Sequence, residues 1–219
     1  MISEFKKINK LFEEINESLN KKVYFFIIGG AMLLYHGIKP ATKDIDIIIE
    51  TEEEFFIIQN TLRKIGFMAK LPTSEYKKME LNQIFVREDF RIDLFKKTVF
   101  KGFSLSDTMK KRAQKILELG YLTVSLCSNE DVFLFKTFTE REGDLEDCIA
   151  LAKKGIYWNV ILDELRSQIK LSGNKIWITW VGERFDILEE RGLVMPIMNE
   201  LNILRKNYFE NYGKRKNSN

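Results

Sequence analysis

Three aspartates in this chain lie where carboxylates are costly. Asp44 and Asp46 head the run DIDIIIE, and Asp93 interrupts the apolar run FRIDLF. Successive side chains of a strand alternate faces, so Asp44 and Asp46 point one way while Ile45, Ile47 and Ile49 point the other. Two carboxylates side by side at the edge of a buried sheet suppress each other's ionisation unless a cation sits between them, and a divalent metal is the simplest such cation. Asp93 shares its strand face with Arg91 and Phe95, so either an ion pair with Arg91 or a metal must compensate its burial.

Upstream, Gly29-Gly30 separates the apolar run VYFFII from AMLLYHG. Glycines after a strand and before a helix let backbone amides approach a phosphate closely. The same pair also suits a tight strand-to-helix turn that needs only conformational freedom, and Asp44 and Asp46 also suit Asx turns at a strand end. Together, three carboxylates from two strands and the glycine turn outline a two-metal phosphoryl-transfer site for a nucleotide triphosphate.

The rest of the composition narrows the chemistry. His36 is the single histidine, which excludes zinc sites built on several imidazoles within one chain and leaves His36 alone for any Ser-His-Asp catalysis. The work must rest on carboxylates, lysines and backbone amides. With 219 residues, 45% hydrophobic and 31% charged, the chain is globular and long enough to bury a core. Its net charge of +3 neither demands nor excludes nucleic acid. No apolar run reaches bilayer length, and the N-terminal MISEFKKINKLFEEI has acids and helical spacing in place of a signal peptide, so a cytoplasmic protein with no membrane partner is expected. The basic tail GKRKNSN reads as a solvated end. Cys127 and Cys148 do not form a CxxC pair and read as reduced, half-buried thiols.

The elements that must position these residues follow from periodicity. Ile2, Phe5, Ile8, Phe12, Ile15 and Leu19 predict an amphipathic helix over 2–19. A central strand is expected at Val23–Ile28, a short helix at Ala31–His36, a strand at Asp44–Glu50 and a helix at Glu52–Lys64. Strands follow at 67–71, Asn82–Arg87 and Phe90–Phe95, the last two joined by a Glu88-Asp89 turn. Residues 96–105 read as loop, 107–113 as a short helix, and 115–119 with 121–126 as a pair around Gly120. From Ser128 the period becomes helical, with a first helix running through VFLFKTFTERE, then helices near 144–154, 158–170, 176–191 and 194–210. The fold class is α+β: a mixed β-sheet core flanked by helices over 1–126, then an all-helical part over 127–219. Tyr157, Trp158, Trp177, Trp180 and Phe185 invite a base-stacking reading, but their helical spacing among Ile and Leu favours core packing.

Gly29-Gly30, the Asp44-x-Asp46 pair and the later strand acid Asp93 resemble the nucleotidyltransferase superfamily of the polymerase-β type. The strings IGGAMLLYHG and ATKDIDI are closer still to its AbiEii-like branch, known from toxin–antitoxin systems. That branch carries a lysine and an R-x-x-D-x-x-D-like segment in its helical part. Lys136 followed by Arg141-Glu142-Gly143-Asp144-Leu145-Glu146-Asp147 is similar. Two positions depart from the pattern: Gly30 stands where a serine is common, and Pro40 where many relatives have an arginine, with Lys39 and Lys43 as nearby basic substitutes.

The resemblance implies transfer of a nucleoside monophosphate from a nucleoside triphosphate to a hydroxyl. Asp44 and Asp46 would bind Mg2+ (two ions being possible), and Asp93 would complete the metal site and help deprotonate the acceptor. Gly29, Gly30, Thr42, Lys43, Lys136 and Asp144 would contact or orient the nucleotide. The acceptor class stays open between tRNA, protein and small molecule. A cognate antitoxin is an implied partner, and a non-catalytic antitoxin or binding module is the alternative reading.

Overall fold

A computed structural model describes residues 1–216; the side chains of Glu75 and of 212–216 fall outside that description, as does the remainder of the GKRKNSN tail. The described residues form two compact units, Met1–Ser128 and the chain from Asn129 onward.

The first unit opens with α1 (Phe5–Ser18), which buries Ile8, Leu11, Phe12 and Ile15 on one face. The expected helical start at residue 2 is not observed. Ile2 instead forms an isolated antiparallel bridge with Thr42, each backbone amide donating to the other's carbonyl at 2.8 Å. Strand β1 (Val23–Ile28) is buried apart from Tyr24, and leads directly into the short helix α2 (Gly29–Tyr35). β2 (Ile45–Ile49) follows, with Asp44 immediately before it. Helix α3 (Glu52–Lys64) begins at a capping box in which the Thr51 hydroxyl accepts from the Glu54 amide and the Glu54 carboxylate accepts from the Thr51 amide. Its acidic first turn and basic last turn complement the helix dipole.

Strand β3 (Met68–Lys70), a five-residue helix α4 (Ser74–Lys78), β4 (Leu81–Arg87) and β5 (Phe90–Lys96) come next. Helix α4 was not expected from sequence, because SEYKK has no apolar period. Glu88 takes a left-handed φ of 52° in the two-residue turn between β4 and β5. Helix α5 (Asp107–Arg112), β6 (Gln114–Glu118) and β7 (Leu122–Leu126) complete the unit. The strands form one mixed seven-stranded sheet in the order β3-β4-β5-β2-β1-β7-β6. β1 runs parallel to β7, and β2 parallel to β5, while β1 and β2 are antiparallel.

The second unit is helical: α6 (Asn129–Lys136), α7 (Glu142–Lys153), α8 (Trp158–Ser172), α9 (Trp177–Glu190) and α10 (Met198–Lys216). Helix α6 stops sooner than its apolar spacing predicts. The Thr137 hydroxyl donates to the Leu134 carbonyl at 2.7 Å and the Thr139 hydroxyl to the Lys136 carbonyl at 3.2 Å, offering the backbone an alternative to another helical turn. Helix α10 starts later than expected, after Pro196, whose ring disfavours helical backbone at the preceding residue. Phe133, Trp158 and Phe185 meet edge to face, and Trp177 and Phe185 are fully buried, so these aromatics form core. Trp158 and Trp180 are half-buried, and Tyr157 departs furthest, at 78% exposure. Cys127 and Cys148 are fully buried rather than half-buried, and burial pushes the Cys148 thiol well above its usual pKa. No described helix is long and apolar enough to cross a membrane.

Candidate functional site

The sheet brings the three strand acids to one place. Because β1 and β2 are antiparallel, Ile28 pairs with Asp46; because β2 and β5 are parallel, Asp46 pairs with Asp93. Asp44 is one residue ahead of β2 and on the same side as Asp46. One carboxylate oxygen from each of Asp44, Asp46 and Asp93 lies within 4.8 Å of the other two. Asp93 is the buried member at 2% exposure, and the other two are half-buried.

The pairing of Ile28 with Asp46 also explains Gly29. A Cβ at that position would stand 2.0 Å from Asp46 Oδ2, and the residue holds φ +66°, a left-handed conformation that favours glycine. A Cβ on Gly30 would stand 2.4 Å from Thr42 Oγ1. The glycine pair thus makes room for two side chains of the site, a use the sequence reading did not anticipate. Thr42 is 4% exposed and its hydroxyl donates inward to the Asp44 carbonyl at 2.9 Å, while its backbone is held by Ile2. Lys43 is exposed beside it and Lys39 half-buried.

Asp93 has the ion pair that its burial called for. Arg91 Nε donates to Oδ1 and Nη2 to Oδ2, each at 2.7 Å. The guanidinium carbon lies 4.8 Å from the centre of the Tyr76 ring. Hydrogen bonding to Asp93, opposed by partial burial, holds the Arg91 pKa above its usual value. Tyr76 was missed from sequence, since nothing in SEYKK marks a ring that will stack on an arginine of a distant strand.

An all-oxygen set of three carboxylates suits a hard cation, Mg2+ above all, which binds through one or two carboxylates and keeps waters for its remaining positions. The three residues, one oxygen from each within 4.8 Å of the others, could hold a metal ion among them. The donor set therefore fits the metal implied by the sequence.

Lys136 and Asp144 meet each other within the helical unit. Lys136 is 7% exposed, and its Nζ donates to Asp144 Oδ1 at 2.7 Å and pairs with Asp147 Oδ2 at 2.6 Å. Asp144 also accepts from Arg141 Nε at 2.7 Å and from the Thr139 hydroxyl at 2.5 Å. Burial alone would raise the Asp144 pKa, but the charges of Lys136 and Arg141 and these hydrogen bonds hold it down to about 2. Burial opposes the charge on Lys136 as well, yet Asp144 and Asp147 keep its pKa above the ordinary value.

Residues 6–178 match the model of a family described as nucleotidyltransferase of unknown function (DUF6036). No curated protein matches the chain. Among solved structures, ANT(2'')-Ia in complex with adenylyl-2''-tobramycin is similar over 76% of this chain and 97% of its own, at 10% identity and a TM-score of 0.50. The TM1012 protein of Thermotoga maritima, a nucleotidyltransferase by assignment, covers 70% of this chain and 94% of its own, at 18% identity and a TM-score of 0.45. The first likeness shows the fold, an α+β nucleotidyltransferase fold.

Proposed function

The chain belongs to that family of nucleotidyltransferases of unknown function, and on this premise we propose that it is a Mg2+-dependent enzyme moving a nucleoside monophosphate from a nucleoside triphosphate to an acceptor hydroxyl, with pyrophosphate leaving. The observation that carries the reading is the pairing of Asp46 with Asp93 in register, which gathers three carboxylate oxygens within 4.8 Å of one another.

Mg2+ bound there would neutralise phosphate charge and lower the pKa of a coordinated hydroxyl. Asp44, Asp46 and Asp93 are the residues to hold it. Asp93, on the strand beside Asp46, would accept the proton of the acceptor hydroxyl. Thr42 keeps the Asp44 backbone in position through its hydroxyl rather than presenting that hydroxyl outward. Lys43, exposed and next to Asp44 in the chain, is a basic group available to a phosphate, and Gly29 and Gly30 add no side chain of their own beside Asp46 and Thr42. Lys136 and Asp144 serve as a buried ion network tying α6 to α7. With Arg141 and Asp147 included, the charges there cancel, which gives a triphosphate no net attraction.

Nucleotide binding by calorimetry, with and without Mg2+, tests the reading on wild type and on Asp44→Ala/Asp46→Ala. Binding that needs both Mg2+ and the two acids is expected; equal heats from both proteins, or none from either, would remove the idea. Transfer of label from radioactive nucleotide to tRNA, protein or small-molecule acceptors then separates the acceptor classes. A toxin role predicts growth arrest on expression that Asp46→Ala abolishes.

A further inference from the structure

We propose that Arg91 and a divalent cation are alternative counter-ions of Asp93, so that Arg91 limits how tightly the carboxylate cluster holds its metal. The inference rests on the metal-centre reading above.

Asp93 is 2% exposed and the fork of Arg91 takes both of its oxygens at 2.7 Å. A carboxylate offers about four lone-pair sites, so a second electrophile has geometric room. Energetically it has less. A guanidinium and a divalent ion on the same carboxylate repel each other and draw on the same electron density. The other acids show what an arginine adds here: three carboxylates within 4.8 Å have a formal charge of −3, and the Arg91 charge leaves −2 to attract a cation. Without Arg91, the cluster would attract the first ion more strongly and hold charge for a second.

The position of Arg91 fits a competitor rather than a filler of the core. Its side chain is 28% exposed, in contrast to the 3% of its partner, and its outer face lies over the Tyr76 ring of α4. Stacking on Tyr76 gives the guanidinium a second anchorage, so losing ground to a metal at Asp93 does not leave it unsupported.

The test is Mn2+ binding to the full chain after removal of metal by EDTA, read from the free-ion EPR signal, with thermal melts alongside. Arg91→Gln is expected to bind Mn2+ about tenfold more tightly than wild type, the scale of removing one charge a few ångströms from a divalent ion in well-solvated surroundings. Its melting temperature should fall below wild type in EDTA and rise more than wild type on adding Mn2+. Arg91→Lys, which keeps the charge but not the fork, should fold in any case and bind about threefold more tightly. Unchanged or weaker Mn2+ binding in Arg91→Gln, or in Arg91→Lys should the glutamine variant not fold, overturns the proposal. Failure of the underlying reading looks different: wild type itself would then show no Mn2+ binding that Asp46→Asn removes.

Discussion

Replacing Gly29 by alanine is the most discriminating single perturbation of the site, because a matched control exists eight residues on. The new Cβ would stand 2.0 Å from Asp46 Oδ2 and 2.9 Å from its Cγ, where real Cβ contacts essentially never fall below 3.0 Å. The Asp46 carboxylate must therefore retreat by about 1 Å, twice the roughly 0.5 Å tolerance of a productive site. Misplacement of about 1 Å costs on the order of 100-fold in rate. The backbone at φ +66° adds about 1 kcal/mol of strain once a Cβ is present. Gly37 has nearly the same φ, +64°, but nothing lies within 4 Å of the Cβ it lacks. Urea denaturation should find both alanine variants destabilised by about 1 kcal/mol. Only Gly29→Ala should lose Mn2+ affinity, by at least about tenfold, and label transfer by about 100-fold. Equal Mn2+ binding by the two variants would show that Gly29 serves a turn and not the seating of Asp46, and would refute the reasoning.

Asp46→Asn removes a like charge directly opposite Asp93, so in EDTA it should be more stable than wild type by about 0.2–1 kcal/mol, with the order reversed in excess Mg2+; urea melts in both buffers check this, and no reversal sinks it. Asp144 ionises in the folded state at about 2, below its unfolded value of 3.8, so its contribution is present above pH 4 and disappears as the pH falls towards 2. That shift corresponds to about 2 kcal/mol, and Asp144→Asn, though destabilised at neutral pH by loss of a buried partner for Lys136, should show a flatter stability curve between pH 4 and pH 2 than wild type. A parallel curve speaks against the network. Thr51→Ala breaks the capping box of α3 and should cost about 1 kcal/mol by urea denaturation, with Mn2+ binding unchanged.

What could be read from sequence was set by local periodicity. β1 and α3 occupy the ranges their patterns predict, because an unbroken apolar run and an acid-first, base-last helix each carry their own boundaries. The two acidic runs were legible as candidates, since carboxylates among Ile and Phe are anomalous wherever they fall. Their adjacency was expected from the chemistry alone, because the pairing of β2 with β5 joins residues 47 apart, Asp46 and Asp93, and no local pattern specifies a parallel partner. The reason for Gly29 lay hidden for the same cause: the side chain it accommodates belongs to another strand. Where side chains override periodicity, expectation also failed, as with the two threonines that end α6 and the Ile2 backbone that pairs with Thr42 instead of extending α1. Lys136 resembled a free cation in sequence, and two acids eight and eleven residues on engage it in the fold.

The register that makes the site is opposed by the site's own charges, and magnitudes decide why it holds. Setting Asp46 against Asp93 costs roughly 0.2–1 kcal/mol. The same register buries Ile45 and Ile47 on β2 and Ile92 and Leu94 on β5, all fully inaccessible. Each such side chain is worth about 1.5–3 kcal/mol, so the apolar term exceeds the repulsion several-fold. A slip of one residue would turn Asp46 onto the face where Ile45, Ile47, Ile92 and Leu94 are fully buried, which excludes the obvious escape. The acids are thus held together by the residues between them, and the electrostatic tension is left for a counter-ion to resolve. Arg91 resolves part of it in the protein alone; the divalent cation proposed for this site would resolve the rest.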